Sequence, residues 1–185
     1  MTIIIPVRGG AAAKSRLGGD QRAQLARAMA LDTIEAALEV GPVIVVTDET
    51  MRVDVEAIGA RTVPDPGRGL NRAIGEGLAV APPGASAVLL GDVPGLDPSE
   101  LRAALAEAAA HDRAMVADAD GDGTVLLVAA HHDLAFGPGS RALHTARGYI
   151  ELQTPWPTLR RDVDLPEHLH GLTRGRRTLE LLGER

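Results

Sequence analysis

Residues 2–17 read Thr2-Ile3-Ile4-Ile5-Pro6-Val7 and then Arg8-Gly9-Gly10-Ala11-Ala12-Ala13-Lys14-Ser15-Arg16-Leu17. The first six form a short β-branched run, which predicts a strand. The loop that follows, Arg8–Gly19, consists largely of tiny residues. It leads to Asp20, a good N-cap for a helix over about Gln21–Glu39. Such a loop between a strand and a helix lets backbone N–H groups approach a phosphate, and the helix start favours negative charge. Arg8, Lys14 and Arg16 add positive charge, and Gly9 allows close approach. The plainer alternative is an ordinary βα loop. The stretch also resembles a Walker A loop, except that Ala13 stands where that motif needs glycine before its lysine.

Outward from this segment the pattern repeats. Gly41-Pro42 ends the helix and Val43–Thr47 predicts the second strand. A short helix near Met51–Ile58, a strand at Arg61–Val63 and a helix over Leu70–Val80 follow. After Pro82-Pro83-Gly84 comes the strand Ala87–Leu90, and Asp97-Pro98-Ser99-Glu100 opens a helix with an N-cap, an N1 proline and an N3 glutamate. Ala114–Ala117 and Val125–Val128 predict two strands around an acidic turn. Ser140–Arg147 predicts a short helix, Leu159–Val163 a late strand and Arg174–Leu182 a last helix. Strands alternating with helices predict one α/β domain over 1–185, a mostly parallel sheet with helices on both faces.

Composition narrows the function classes. A net charge of −6 argues against a polyanion-binding surface, so nucleic acid is not an expected partner. The absence of cysteine excludes disulfides and thiolate metal sites. The apolar run at Thr2–Val7 is too short for a signal peptide or a membrane span, so a cytoplasmic address without membrane contact is expected. Only 2% of residues are aromatic, which requires an aliphatic, alanine-rich core. The three aromatics, Phe136, Tyr149 and Trp156, lie in the C-terminal third and suggest a functional or contact surface there, with a homodimer allowed for. Of 19 basic residues Lys14 is the single lysine, and it falls in the glycine-containing loop. Lysine, unlike arginine, offers phosphate a compact point charge.

Two further segments carry candidate chemistry. Ala87–Leu90 runs into Gly91-Asp92-Val93-Pro94, which sets Asp92 at the end of a central strand, where open α/β sheets bind ligands. Glycine before it is expected to leave room for a ligand. An aspartate there suits Mg²⁺, a hard cation held by one or two carboxylates plus phosphate oxygens. In Arg161-Asp162-Val163-Asp164, period-two alternation would turn both carboxylates to one face, from which they could complete a metal site begun by Asp92. A solvated strand end is the alternative. Asp118-Ala119-Asp120-Gly121-Asp122-Gly123 copies half of an EF-hand loop, but Ala129 stands at its twelfth position, so an acidic hairpin turn is expected. His131, His132, His168 and His170 have no cysteine partners and do not predict zinc.

In order along the chain, several pieces together resemble the phosphoenolpyruvate or 2-phospho-L-lactate guanylyltransferases of coenzyme F420 biosynthesis. These are Pro6-Val7-Arg8, Ala13–Leu17, Gly69-Leu70-Asn71-Arg72, Gly91-Asp92-Val93-Pro94, Gly123-Thr124, Phe136–Ser140 and Arg161–Asp164. That family belongs to the molybdenum-cofactor guanylyltransferase-like superfamily, with a nucleotide-diphospho-sugar transferase (GT-A-like) fold. The resemblance implies that Asp92 and Asp162, and after them Asp164, hold magnesium. It places the acceptor, a phosphorylated small carboxylic acid, at Thr124, Gly137 and Ser140, with GTP at the first loop and near Asn71. Asp92 and Lys14 would be the catalytic residues. A carboxylate would meet N–H groups at the helix start after Gly139 and the hydroxyls of Thr124 and Ser140. The arginine-rich, alanine-rich composition looks like that of a GC-rich actinobacterial source, which favours phosphoenolpyruvate within the family. A P-loop phosphotransferase is the competing reading.

Overall fold

The computed structural model describes residues 1–7, 22–164 and 166–183. Seven strands form one sheet: β1 Thr2–Pro6, β2 Val43–Thr47, β3 Arg61–Pro64, β4 Ser86–Leu89, β5 Arg113–Ala117, β6 Thr124–Ala129 and β7 Ile150–Glu151. Their spatial order is β3-β2-β1-β4-β6-β5-β7. Only β6 runs against its neighbours. Six helices complete the described fold: α1 Arg22–Leu38, α2 Glu49–Ala57, α3 Leu70–Ala79, α4 Pro98–Ala108, α5 Ser140–Ala146 and α6 Arg176–Leu182. None is long and apolar enough to cross a membrane.

Strand pleating divides the core. Ile3 and Ile5 join one apolar cluster with Ile34, Met51, Leu101 and Leu105 on helices α1, α2 and α4. Ile4, between them, joins the opposite cluster with Ala73 and Ile74 of α3. The core is aliphatic, as the composition requires. The aromatics, however, do not form a surface: Phe136, Tyr149 and Trp156 are all buried, the first two in the α3 cluster and Trp156 in the other.

Local chemistry explains the helix ends. Asp97 caps α4 by accepting from the Ser99 N–H at 2.8 Å. Glu100 does not reach back to the cap. It accepts from the backbone N–H groups of Thr158 at 2.9 Å and Leu159 at 3.0 Å, which ties a distant turn to α4. Asp32, buried on α1, serves as a cap for α6: its carboxylate accepts from the N–H groups of Arg177 at 3.1 Å and Thr178 at 2.8 Å. Helix α6 itself starts at Gly175, which has no side chain to do this.

The expected strand at Leu159–Val163 is absent. That segment is turn and coil, with Leu159 and Val163 buried and the Arg160 guanidinium bound to the carbonyls of Ala117 and Leu152. The short β7 takes the place beside β5.

Helix α3 approaches the sheet closely at Gly77, where a Cβ would lie 2.5 Å from Ile4 Cγ2 and 2.8 Å from Val46 Cγ2. Gly77→Ala is therefore expected to destabilise the fold by about 1–3 kcal/mol through overpacking. Urea unfolding of the two proteins checks this, and equal midpoints would contradict it.

Candidate active site

From β1 the chain turns to β2 on one side, while β4 lies on the other, so the strand order reverses between β1 and β4. A crevice at the C-terminal ends of the strands is the usual ligand position in such sheets. The end of β1, Pro6-Val7, and the segment leaving β4 through Gly91-Asp92 share that position. They are pressed together: a Cβ on Gly91 would lie 2.9 Å from Val7 Cγ2 and 3.2 Å from the Pro6 carbonyl. The glycine thus makes room for the end of β1, not for a ligand. Arg8, Gly9, Lys14 and Arg16 lie outside the described residues.

The Asp92 loop is braced from three directions. The Val93 N–H donates to Thr33 Oγ1 on α1 at 3.1 Å, and that hydroxyl donates to the Met29 carbonyl at 2.9 Å. The Asp97 N–H donates to Thr158 Oγ1 at 2.9 Å, and Arg174 pairs with the Asp97 carboxylate at 2.8 Å. The Val163 N–H donates to the Asp92 carbonyl at 2.8 Å. This last bond sets Asp162 and Asp164 on either side of the residue that touches Asp92. Strand alternation does not place them, because no strand is present there.

Among the described residues no three His, Asp or Glu side chains are gathered so as to hold a metal ion by themselves. The neighbouring donors are nonetheless carboxylate oxygens, half-buried at Asp92 and Asp162 and exposed at Asp164. One or two such carboxylates with phosphate oxygens is the set that magnesium takes, so the residues fit that ion.

The second half of the site lies one strand away. The Leu90 N–H donates to the Val125 carbonyl at 3.0 Å, so Thr124, at the start of β6, shares an edge with Asp92. Thr124 Oγ1 lies 2.9 Å from His144 Nδ1. His144 and Ser140 are one turn apart on the buried face of α5. The Ser140 N–H donates to the Gly137 carbonyl at 3.1 Å. The structure thus brings Thr124, Gly137 and Ser140 together around His144, a residue that the sequence reading did not single out.

The segment before α5 is held group by group. The N–H of Asp133 donates to the Tyr149 hydroxyl at 2.9 Å, that of Ala135 to His144 Nε2 at 3.0 Å, and that of Gly139 to Asp122 Oδ2 at 3.1 Å. Asn71, at the start of α3, clamps Phe136 in both senses: its Nδ2 donates to the Phe136 carbonyl and its Oδ1 accepts from the Phe136 N–H, each at 2.9 Å. Its side chain is thus turned to this segment. The N–H groups of Ser140 and Arg141 are engaged by the Gly137 and Asp122 carbonyls, so the first two donors of α5 are already occupied. The N–H of exposed Gly137 has no partner among the described residues. Its φ of +138° is one that only glycine adopts readily. The acidic turn is the expected hairpin turn, with Asp118 accepting from the N–H groups of Asp122 at 3.1 Å and Gly123 at 2.7 Å.

His144 is fully buried, and burial, with Arg147 adding to it, pushes its pKa down to about 4. The ring is neutral near pH 7. Elsewhere, a cleft of about 420 Å³ opens beside the N-terminal ends of β4 and β5. It is lined by His111, Asp112, Arg113 and His131 and shares no residue with this site.

The strand order, the reversal at β1 and β4 and the loops at that edge define a nucleotidyltransferase-type α/β fold. A nucleotidyl transferase from Methanothermobacter superposes with a TM-score of 0.65 over 90% of this chain and 93% of its own, at 20% identity. A protein from Desulfovibrio desulfuricans G20, provisionally assigned as a nucleotide-diphospho-sugar transferase, gives 0.70 over 98% and 94%, at 15% identity. The family model for CofC-like guanylyl transferases matches residues 1–147, and the chain belongs to that family. A phosphoenolpyruvate guanylyltransferase from Geodermatophilus obscurus is 44% identical over 98% of this chain and 94% of its own. The enzyme of the same name from Streptomyces scabiei is 44% identical over 96% and 93%.

Two outcomes follow from the buried polar groups. Asn71→Ala leaves both Phe136 backbone groups without their partner. It should cost about 1–3 kcal/mol and speed hydrogen exchange at the Phe136 amide more than at the β1 amides; unchanged protection at Phe136 would contradict the clamp. The second concerns pH. An unfolded histidine takes up a proton near 6.5, whereas folded His144 does so only near 4. Between these values the unfolded chain binds more protons, so stability falls as pH falls. Burial lowers His132 as well, with the same sign. His144→Phe should flatten the dependence by up to about 1.4 kcal/mol per pH unit, read from urea midpoints across this range.

Proposed function

We propose that the chain transfers GMP from GTP to the phosphate of phosphoenolpyruvate and releases pyrophosphate, as a step of coenzyme F420 biosynthesis. The observation that carries the reading is the shared edge. The end of β1 at Val7, the Asp92 loop and the start of β6 at Thr124 all lie at the C-terminal ends of β1 and β4. Two substrates could therefore lie side by side. The names of the relatives support phosphoenolpyruvate over 2-phospho-L-lactate, and membership of a guanylyl transferase family leaves the P-loop reading without support.

In this reading the triphosphate rests on the loop after Val7, with Lys14, Arg8 and Arg16 as its cations and Gly9 allowing close approach. Asp92 and Asp162, with Asp164 beside them, would hold magnesium. Bound there, the ion would neutralise charge on the phosphate oxygens. Gly137 N–H and the hydroxyls of Thr124 and Ser140 would hold the acceptor carboxylate. An acceptor phosphate oxygen attacks the α-phosphorus of GTP in line, the bond to the bridging oxygen breaks, and pyrophosphate leaves. With a second pKa of about 6 the acceptor phosphate is already a dianion at neutral pH, so no general base is needed. Catalysis then rests on positioning and charge neutralisation.

The test is pyrophosphate release from GTP with magnesium, in the presence of phosphoenolpyruvate or 2-phospho-L-lactate. Phosphoenolpyruvate is expected to give the higher kcat/KM. Asp92→Asn keeps the carbonyl that accepts from Val163 and so keeps the loop, yet should lose at least about a hundredfold in kcat. Near-normal turnover by the folded variant would remove Asp92 from the reaction, and a preference for 2-phospho-L-lactate would reverse the choice of acceptor.

A further inference from the structure

We infer that His144 is a positioning residue that aims the Thr124 hydroxyl hydrogen at the acceptor carboxylate. The inference rests on the reading that Thr124 lines the acceptor site. Its basis is the hydrogen-bond chain through the ring. The Ala135 N–H donates to Nε2 at 3.0 Å, so Nε2 carries a lone pair and not a hydrogen. In a neutral imidazole the hydrogen must then sit on Nδ1. Nδ1 lies 2.9 Å from Thr124 Oγ1, so the ring donates and the threonine oxygen accepts.

A hydroxyl has one hydrogen to give. With its oxygen accepting from His144, that hydrogen points away from the ring, and the described structure shows no acceptor for it. A donor left over at the edge that Thr124 shares with Asp92 is a complement to an anion.

Several features fix the ring in this state. It is fully buried and packed edge-on against Phe136 and Tyr149, with centroids 5.0 Å and 5.4 Å away. Protonation would put a hydrogen on Nε2, facing the Ala135 N–H, and burial opposes that charge. The Thr124 hydroxyl is therefore set before substrate arrives, and little ordering is needed on binding.

Two measurements test the inference. Ring ¹⁵N NMR of the wild-type protein should report the hydrogen on Nδ1; a hydrogen on Nε2 overturns the proposal without any variant. The second is a double-mutant cycle on KM for phosphoenolpyruvate, with KM for GTP as the control. Thr124→Val and His144→Phe should each raise the acceptor KM about tenfold or more, as expected for a hydrogen bond to a charged group, and leave the GTP KM within about twofold. The double variant should be no worse than Thr124→Val alone. Multiplying effects would show that His144 acts otherwise than through Thr124 and would overturn the proposal. If His144→Phe does not fold, His144→Asn replaces it. Its amide N–H near the Nδ1 position should keep the acceptor KM close to wild type, and a KM raised as far as in Thr124→Val would count against the proposal. If Thr124→Val leaves the acceptor KM unchanged, it is the acceptor-site reading of Thr124 that fails.

Discussion

The pairing of β1 with β4 is the constraint on which the candidate site depends. Ile3 and Ile4 lie opposite Ala87 and Val88, and the strands stay close beyond the last paired residues because Gly91 offers no side chain to Val7 or the Pro6 carbonyl. Both strands have their inner residues fully buried on each face, so neither can slip by one position without turning its core residues around. The loops at their ends inherit that register. Val7, at the end of β1, is thereby held against the segment that carries Asp92.

Much of this was legible in the residues. The β-branched runs bounded by glycine or proline gave the inner strands nearly to their ends, since strands buried on both faces have little choice of composition. Asp92 was legible by position alone, as a carboxylate just past a central strand. The strand expected at Leu159–Val163 misled: both residues are buried, as strand residues would be, but Glu100 takes the N–H groups of Thr158 and Leu159 and the Arg160 guanidinium takes the carbonyls of Ala117 and Leu152. Strand β7 is only two residues long and carries no pattern; its pairing with β5 exists because the fold delivers it there.

The least legible part is the polar wiring. Nothing near Asn71 announces Phe136, and nothing near Thr124 announces His144, because each partner arrives from a distant part of the chain. The family resemblance set Asn71 near the nucleotide; no sign in the sequence showed that its amide clamps Phe136. His144 had no motif around it. Its meaning comes from two neighbours: the Ala135 N–H donates to Nε2, and Thr124 Oγ1 lies against Nδ1. In the same segment, 133–140, the N–H groups of Asp133, Ala135, Phe136, Gly139 and Ser140 all have fixed partners, whereas those of Leu134 and Gly137 have none among the described residues.

The braces on the Asp92 loop have an implication for how the chain is made. Val163, Thr158 and Arg174 all belong to sequence that follows the sheet's last long strand, β6. On the ribosome, residues 1–129 can emerge and pair their strands while those braces are still inside the exit tunnel. During that interval the carboxylate loop has Thr33 to hold it but none of its later supports. Synthesis order therefore separates the birth of the scaffold from the birth of the site. A nascent chain paused after β6 would hold its long strands but lack both the aromatic part of its core and the later supports of the Asp92 loop until translation resumed.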